Sequence, residues 1–193
     1  MFASMVLASA RPVLLALMVL AGVPSALFAA CVDGDPCGAG GVCSAGVCVM
    51  PLDLTFVRLR ASTPGRADGS LVVRATFATA PPADVLDASN GVGITVRDGL
   101  ATEQDVLWAP ADCTPTTRGG FLCLRPDVPR KLRFDPLRGT SSWRVTVRMK
   151  HLAMTGPFAA PVRARITTHG AYDRAGEAAS CTSTPGALDC RQR

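Results

Sequence analysis

The protein is a chain of 193 residues with 20 Lys and Arg, 15 Asp and Glu, and a formal net charge of +5. So small an excess of basic residues does not indicate a nucleic-acid-binding protein. The length is sufficient for one domain behind a targeting segment and is too short for two domains with separate cores.

The first thirty residues have the composition of an export signal. Arg11 is followed by an uncharged stretch from Pro12 to Ala30 that contains the apolar run VLLALMVLAG. A basic start, an apolar centre and small residues at the exit are what a signal peptide requires, so we predict one over residues 1–30. The alternative is an uncleaved anchor, because the uncharged stretch is close to the minimum length that spans a bilayer.

Four cysteines follow at once in CVDGDPCGAGGVCSAGVCV, from Cys31 to Val49. Their spacing lacks the C-x2-4-C pairs of zinc sites, and no His is near. Asp33 and Asp35 lie in a turn sequence without the further spaced carboxylates of a calcium loop. We therefore expect no metal and no cofactor. An exported chain with an even number of cysteines is expected to form disulfides, and four cysteines allow three pairings.

The sequence LFAAC, which ends at Cys31, supports a second hypothesis for this position. Small residues directly before a cysteine are typical of bacterial lipoprotein signals. Lipidation of Cys31 would leave seven cysteines for disulfides, an odd number. We therefore expect a secreted, periplasmic or envelope protein, with lipid attachment through Cys31 as the alternative.

The stretch PCGAGGVC resembles the first half of an epidermal-growth-factor-like module. It is also similar to the short Cys-rich stretches, here GGVCSAGVCV, at the start of uncharacterised bacterial surface proteins. The first resemblance implies pairing of the first cysteine with the third and of the second with the fourth. It joins Cys31 to Cys43 and Cys37 to Cys48 in a disulfide knot over residues 31–50, and it implies no activity.

From Pro51 onward, apolar and polar residues alternate as in strands with one buried and one solvent-facing side. The pattern is clear in LVVRATFA, VGITVRD, WRVTVRMK and VRARITTH. In LDLTF, the residues Leu52, Leu54 and Phe56 share one face, and the phase then shifts at Val57, which predicts a β-bulge. Turn sequences rich in Gly, Pro and Asp separate about eight such strands.

These patterns predict an all-β fold, an antiparallel β-sandwich of about eight strands over residues 51–170. The segment 52–168 also resembles a β domain that recurs in secreted bacterial proteins. Residues 171–193 show little periodicity and are predicted to form an irregular tail with one disulfide loop. Two local bridges are expected in this part of the chain, Cys113 with Cys123 across a Gly-Gly turn and Cys181 with Cys190.

Few residues could carry catalysis. The motifs G-x-S-x-G and H-E-x-x-H are absent, and His151 and His169 fall at strand ends where surface positions are expected. We predict a non-catalytic exported module with a structural or binding role. The alternative is a small secreted hydrolase that uses carboxylates in turns together with Glu103 and Glu177.

The basic residues provide the candidate site. If WRVTVRMK and VRARITTH were neighbouring strands, their outward side chains would form one surface able to bind an anionic polysaccharide or envelope surface. Nucleic acid is not expected, because no aromatic residue is predicted on that face. A solvated sheet face whose arginine stems cover apolar neighbours is the preferred interpretation, and anion binding is the alternative to it. This predicted surface comprises Arg133, Arg144, Arg148, Lys150, Arg163 and Arg165.

Overall fold

The strands of this computed structural model account for most of the described chain, which comprises residues 32, 35–37, 40–44, 47–79, 81, 86–125, 129–168 and 173–192. The predicted signal peptide, residues 1–30, and Cys31 lie outside the described residues. A single turn of 3-10 helix spans Pro110–Asp112. The fifteen strands are β1 (Pro36–Cys37), β2 (Gly41–Ser44), β3 (Val47–Pro51), β4 (Asp53–Arg60), β5 (Gly69–Ala78), β6 (Val92–Arg97), β7 (Glu103–Trp108), β8 (Cys113–Pro115), β9 (Phe121–Arg125), β10 (Arg130–Pro136), β11 (Ser142–Leu152), β12 (Val162–Thr167), β13 (Asp173–Ala178), β14 (Cys181–Thr184) and β15 (Ala187–Arg191).

The alternation of apolar and polar residues places one face of each long strand in the core. On β11, Val145, Val147 and Met149 are fully buried, while Arg144 and Arg148, which occupy the alternate positions, are exposed. The inward residues of both sheets form one hydrophobic cluster. The predicted all-β sandwich is therefore confirmed.

Two sheets form the sandwich. The seven-stranded sheet has the order β1-β2-β3-β13-β12-β6-β7, and the eight-stranded sheet has the order β14-β15-β4-β5-β11-β10-β9-β8. Among the described strands, the pair β3–β13 is parallel and the other pairs are antiparallel. Long strands from distant parts of the chain thus lie side by side, and sheet order decides which polar residues meet on the surface.

The predicted bulge lies in β4, where the register against β5 shifts between Leu54 and Phe56. Leu54 and Val57 are both buried, so the extra residue moves the chain from one inward position to the next. Phe56 was expected on the inward face with Leu54. Phe56 lies instead on the outer face, opposite Arg74. The register shifts between Leu54 and Phe56, so the alternation is already inverted at Phe56 and not only from Val57 onward.

Both ends of the described chain join the sandwich as strands. The segment predicted as a separate knot contributes β1, β2 and β3, and β3 pairs with β13. Residues 171–193 were predicted to be irregular, but they contain β13, β14 and β15. Their polar composition hides the period, because hydrogen bonding to β3, β12 and β4 rather than an apolar stripe fixes these strands. These six strands account for most of the difference between the fifteen described strands and the eight or so that were predicted.

The disulfide prediction is confirmed for the second and fourth cysteines. Cys37 is bonded to Cys48, with their Cα atoms 5.8 Å apart. Cys43 is also disulfide-bonded and buried. Its expected partner, Cys31, lies outside the described residues.

The two predicted downstream bridges are also confirmed. Cys113–Cys123 and Cys181–Cys190 each join directly opposite residues of an antiparallel hairpin. Disulfides persist in oxidising compartments, so the protein is non-cytoplasmic. Within the described ranges, no helix has the length and apolar character needed to cross a membrane.

Candidate anion-binding site

The sandwich separates the two strands whose basic residues were expected to form one surface. β11 pairs with β5 and β10 in the eight-stranded sheet, and β12 pairs with β6 and β13 in the seven-stranded sheet. The prediction that the six basic residues share one face is therefore wrong. Arg133, Arg144, Arg148 and Lys150 belong to the eight-stranded sheet, whereas Arg163 and Arg165 lie on the opposite side of the sandwich.

The basic residues of β12 are neutralised by β13. Arg163 Nε donates to Glu177 Oε2 at 2.7 Å, and Arg165 Nε donates to Asp173 Oδ2 at 2.9 Å. The antiparallel register sets Arg163 directly opposite Glu177, and it sets Arg165 opposite Ala175, from where Arg165 reaches diagonally to Asp173. The outer face of the seven-stranded sheet is thus balanced in charge at the positions where a basic surface was predicted.

The outer face of the eight-stranded sheet contains a strongly basic depression of about 490 Å³. Three neighbouring strands, β5, β11 and β10, supply its lining. Five lining side chains are basic and one is acidic. The lining residues are Arg74, Lys131, Arg133, Asp135, Arg144, Thr146 and Arg148.

Most of these cations have no counter-ion among the residues that the structure describes. Arg133 pairs with Asp135 at 2.7 Å, two positions along the same strand. In the part of the chain that the structure describes, no ion pair is formed by Arg74, Lys131, Arg144 or Arg148. This concentration of unpaired positive charge distinguishes the depression from the paired face of the other sheet.

An aromatic ring lies at the edge of the same face. The guanidinium carbon atoms of Arg58, Arg74 and Arg191 lie 5.3, 5.3 and 5.9 Å from the centroid of the half-buried Phe56 ring. The expectation that no aromatic residue occurs on the basic face is therefore wrong, and the β4 bulge is the cause. Because three guanidinium groups surround the ring, Phe56 positions these cations rather than presenting an open face for a nucleic-acid base.

Sequence reasoning missed Arg74 and Lys131. Both occupy polar positions in alternating segments, so their outward direction was readable. Their proximity to β11 depends on sheet order, since Arg74 lies opposite Thr146 and Lys131 lies opposite Arg148. No signal in the sequence specified that order. Lys150 lies on the same face, one step beyond the depression.

The two glutamates of the hydrolase hypothesis lie at the two ends of one row of residues across the seven-stranded sheet. Glu177, Arg163, Arg97 and Glu103 form one row across β13, β12, β6 and β7. Three strand spacings place the Cα atoms of the glutamates about 14 Å apart. Both glutamate side chains line one depression on this face. The two arginines of the row lie between the glutamates.

The pKa of two turn carboxyl groups is lowered rather than raised. Asp68 accepts a hydrogen bond from the Thr63 hydroxyl at 2.7 Å, which together with the Thr63 backbone N–H lowers the pKa of Asp68 below its ordinary value. The Ser89 hydroxyl and backbone N–H lower the pKa of Asp87 in the same way. A general acid needs the opposite shift.

Two buried charged residues, Asp98 and Arg174, make contacts that stabilise the fold. Asp98, in the turn after β6, accepts three backbone N–H hydrogen bonds at 2.8–3.0 Å and so fixes that turn to the segment before β12. Arg174 is only 2 % exposed and lies 4.4 Å above the Phe77 ring. The cation–π contact contributes to the stability of a charge inside the sandwich.

Other chemistry-bearing residues do not converge in the described ranges. No three His, Cys, Asp or Glu side chains there are grouped as metal ligands. His151 is exposed at the irregularity near the end of β11, as expected for a surface residue. His169 lies outside the described residues.

No protein-family model matches this chain, and comparisons with curated proteins and with solved structures return no significant match. Fold and site are therefore interpreted from the geometry of the chain itself.

Proposed function

We propose that the protein is a non-catalytic exported module that binds anionic polymers through the outer face of its eight-stranded sheet. The observation that carries this proposal is the basic depression, in which four cations lack a counter-ion in the described protein. Like charges held close together repel each other, and an anion placed among them relieves that repulsion. Such a surface attracts polyanions strongly at low ionic strength.

The regular spacing of the sheet favours a ligand with repeating charged groups. Adjacent strands lie about 4.8 Å apart and outward residues on one strand recur about every 6.8 Å, so the cations are held at fixed intervals. Charged groups along a polysaccharide can occupy several such positions at once. Each contact is weak and exposed, so we expect affinity to arise from many contacts and to fall as salt increases.

The location that best suits this function is the cell exterior or the envelope. The disulfides are consistent with secretion or with a periplasmic site. Anchoring through a lipidated Cys31 is the alternative that we retain. In either case the basic face would meet anionic envelope or extracellular polymers.

The non-catalytic assignment is supported by the state of the carboxylates. Asp68 and Asp87 are stabilised in the ionised form, and Glu177 and Asp173 are paired with arginines. Glu103 and Glu177 line one depression on the outer face of the seven-stranded sheet. Arg97 and Arg163 lie between them in the row, and Arg163 holds the Glu177 carboxylate, whereas the carboxyl groups of a glycosidase flank the bond to be cleaved.

A heparin column tests the proposal, because heparin is a generic polyanion. Combined replacement of Arg74, Arg144 and Arg148 by Gln removes three unpaired cations from the depression. We expect wild-type protein to bind at low salt and the triple variant to elute at a clearly lower salt concentration.

The matched control removes the same amount of charge from the other sheet. Combined Arg97→Gln, Arg163→Gln and Arg165→Gln should elute close to wild type, because two of these arginines are already paired. Circular dichroism should show the same β-rich spectrum for all three proteins. Equal losses in both variants would show that net charge rather than the depression controls binding, and failure of wild type to bind at low salt would refute the function.

A further inference from the structure

Thr146 lies at the centre of the depression with an arginine on each of its four sides. Arg144 and Arg148 flank it along β11, and Arg74 on β5 and Arg133 on β10 lie directly opposite it on the two neighbouring strands. Strand geometry places the Cα atoms of the first pair about 7 Å and those of the second pair about 5 Å from that of Thr146. A short hydroxyl side chain is thus surrounded by four long cationic ones.

This arrangement forms a shallow cup with a polar floor. The five residues all line the depression. Among the described residues, the Thr146 hydroxyl has no hydrogen-bond partner, although comparable outward threonines such as Thr95 and Thr114 do. The hydroxyl can donate from the floor, and Arg144 and Arg148 can donate from the sides. Arg74 lies over the Phe56 ring and Arg133 holds Asp135, so these two contribute their charge at the rim of the cup.

We propose that this cup binds the sulfate or phosphate monoester group of a glycan, with Thr146 as the floor of the site. The inference rests on the proposed function and names the acidic group that the surface selects. A monoester of this kind has three terminal oxygen atoms that point in different directions, so donors on several sides can all be used. A phosphate monoester also carries nearly two negative charges at neutral pH.

A carboxylate fits the cup less well. Its two oxygen atoms lie in one plane, and a single guanidinium group satisfies both in a bidentate pair. The other arginines around Thr146 that have no described counter-ion would then still lack an acceptor. Polymers whose only acidic group is a carboxylate should therefore bind more weakly than sulfated polymers of equal charge.

A phospholipid surface is the less favoured source of the phosphate group. Proteins that bind membranes through a sheet or helix face combine basic residues with exposed apolar ones. Among the large hydrophobic residues that are exposed in the described chain, only Leu124 lies beside the depression, opposite Lys131. The others, Val32, Val42, Leu100 and Leu107, do not line it.

The experiment compares two polymers that share one backbone. Dextran sulfate and carboxymethyl dextran, matched in length and charge density, are titrated into the full mature chain at one low salt concentration. We expect dextran sulfate to bind about tenfold more tightly. Thr146→Val keeps the side-chain shape but removes the hydroxyl, and it should weaken dextran sulfate binding about five- to tenfold with little effect on carboxymethyl dextran.

Thr76→Val is the control, since Thr76 is an outward, half-buried threonine on the same face that lies opposite Arg144 and outside the lining of the depression. It should change the affinity less than twofold. Equal binding of both polymers, or Thr146→Val behaving as the control does, would overturn the sulfate or phosphate site while leaving polyanion binding intact. Binding of neither polymer would refute the proposed function itself. Stronger binding to phosphatidic acid vesicles than to dextran sulfate would assign the cup to a lipid headgroup and contradict the glycan.

Discussion

Asp135 is the one acidic residue in the depression, and its position explains how the cations around it are arranged. Its carboxylate holds Arg133 at 2.7 Å and lies directly opposite Arg144 in the adjacent strand. The carboxylate thus orients one arginine and offsets part of the positive charge. A ligand anion must compete with it for Arg133.

Asp135→Asn should therefore strengthen polyanion binding. The exchange removes one negative charge and releases Arg133, and exposed ion pairs of this kind are worth about 0.2–1 kcal/mol. We expect affinity for dextran sulfate to rise about two- to fivefold at low salt, measured by isothermal titration calorimetry. Asp105→Asn, on the outer face of the other sheet, is the charge-matched control and should have a smaller effect. Unchanged or weaker binding by Asp135→Asn would indicate that Asp135 is required to shape the site.

The strands show why alternation predicted the fold but not the site. On β11 and β12 the inward and outward residues were assigned correctly from period two, because burial of one sheet face imposes that period on any amphipathic strand. Packing between distant segments decides which strands become neighbours. The alternation is the same in β5, β10 and β11, so it does not specify their order in the sheet. The tail shows the converse case, since β13 to β15 form by hydrogen bonding and disulfide closure with little apolar pattern.

The hairpin β14–β15 depends on its disulfide more than on its core contacts. Leu188 and Cys190 are its buried residues, while β14 is exposed along most of its length at the edge of the sheet. Replacing Cys181 and Cys190 together by Ala should lower the free energy of unfolding by about 2–3 kcal/mol, the loop-entropy value for a loop of this length. Urea denaturation measures the loss.

The Cys113–Cys123 bridge closes a loop of nearly the same length as the Cys181–Cys190 bridge, with a sequence separation of 10 against 9. Replacing Cys113 and Cys123 together by Ala should lower the free energy of unfolding by a similar amount. A loss below about 1 kcal/mol in the Cys181 and Cys190 variant would show that pairing with β4 alone holds the hairpin in place.

The two outer faces of the sandwich differ in how far their arginines are paired with acidic residues. On the seven-stranded sheet, both arginines of β12 pair with acidic residues of β13. The eight-stranded sheet pairs Arg58 with Asp189 at its side, but it gathers three arginines without a described counter-ion around Thr146. The sequence indicated a basic surface from the outward residues of single strands. It could not indicate that β11 and β12 lie on opposite sides of the sandwich, because each strand alone fits either sheet. The β4 bulge, by contrast, was readable from the phase shift at Val57, although the direction in which Phe56 pointed was not.

We propose that anion binding is confined to the eight-stranded sheet. The most direct test is to titrate a short sulfated oligosaccharide into ¹⁵N-labelled protein and to follow the backbone amide resonances. We expect the largest shifts at Arg74, Arg133 and Thr146 on β5, β10 and β11, with Arg163 and Arg165 on β12 unchanged. Shifts centred on β12, or spread equally over both sheets, would contradict the account.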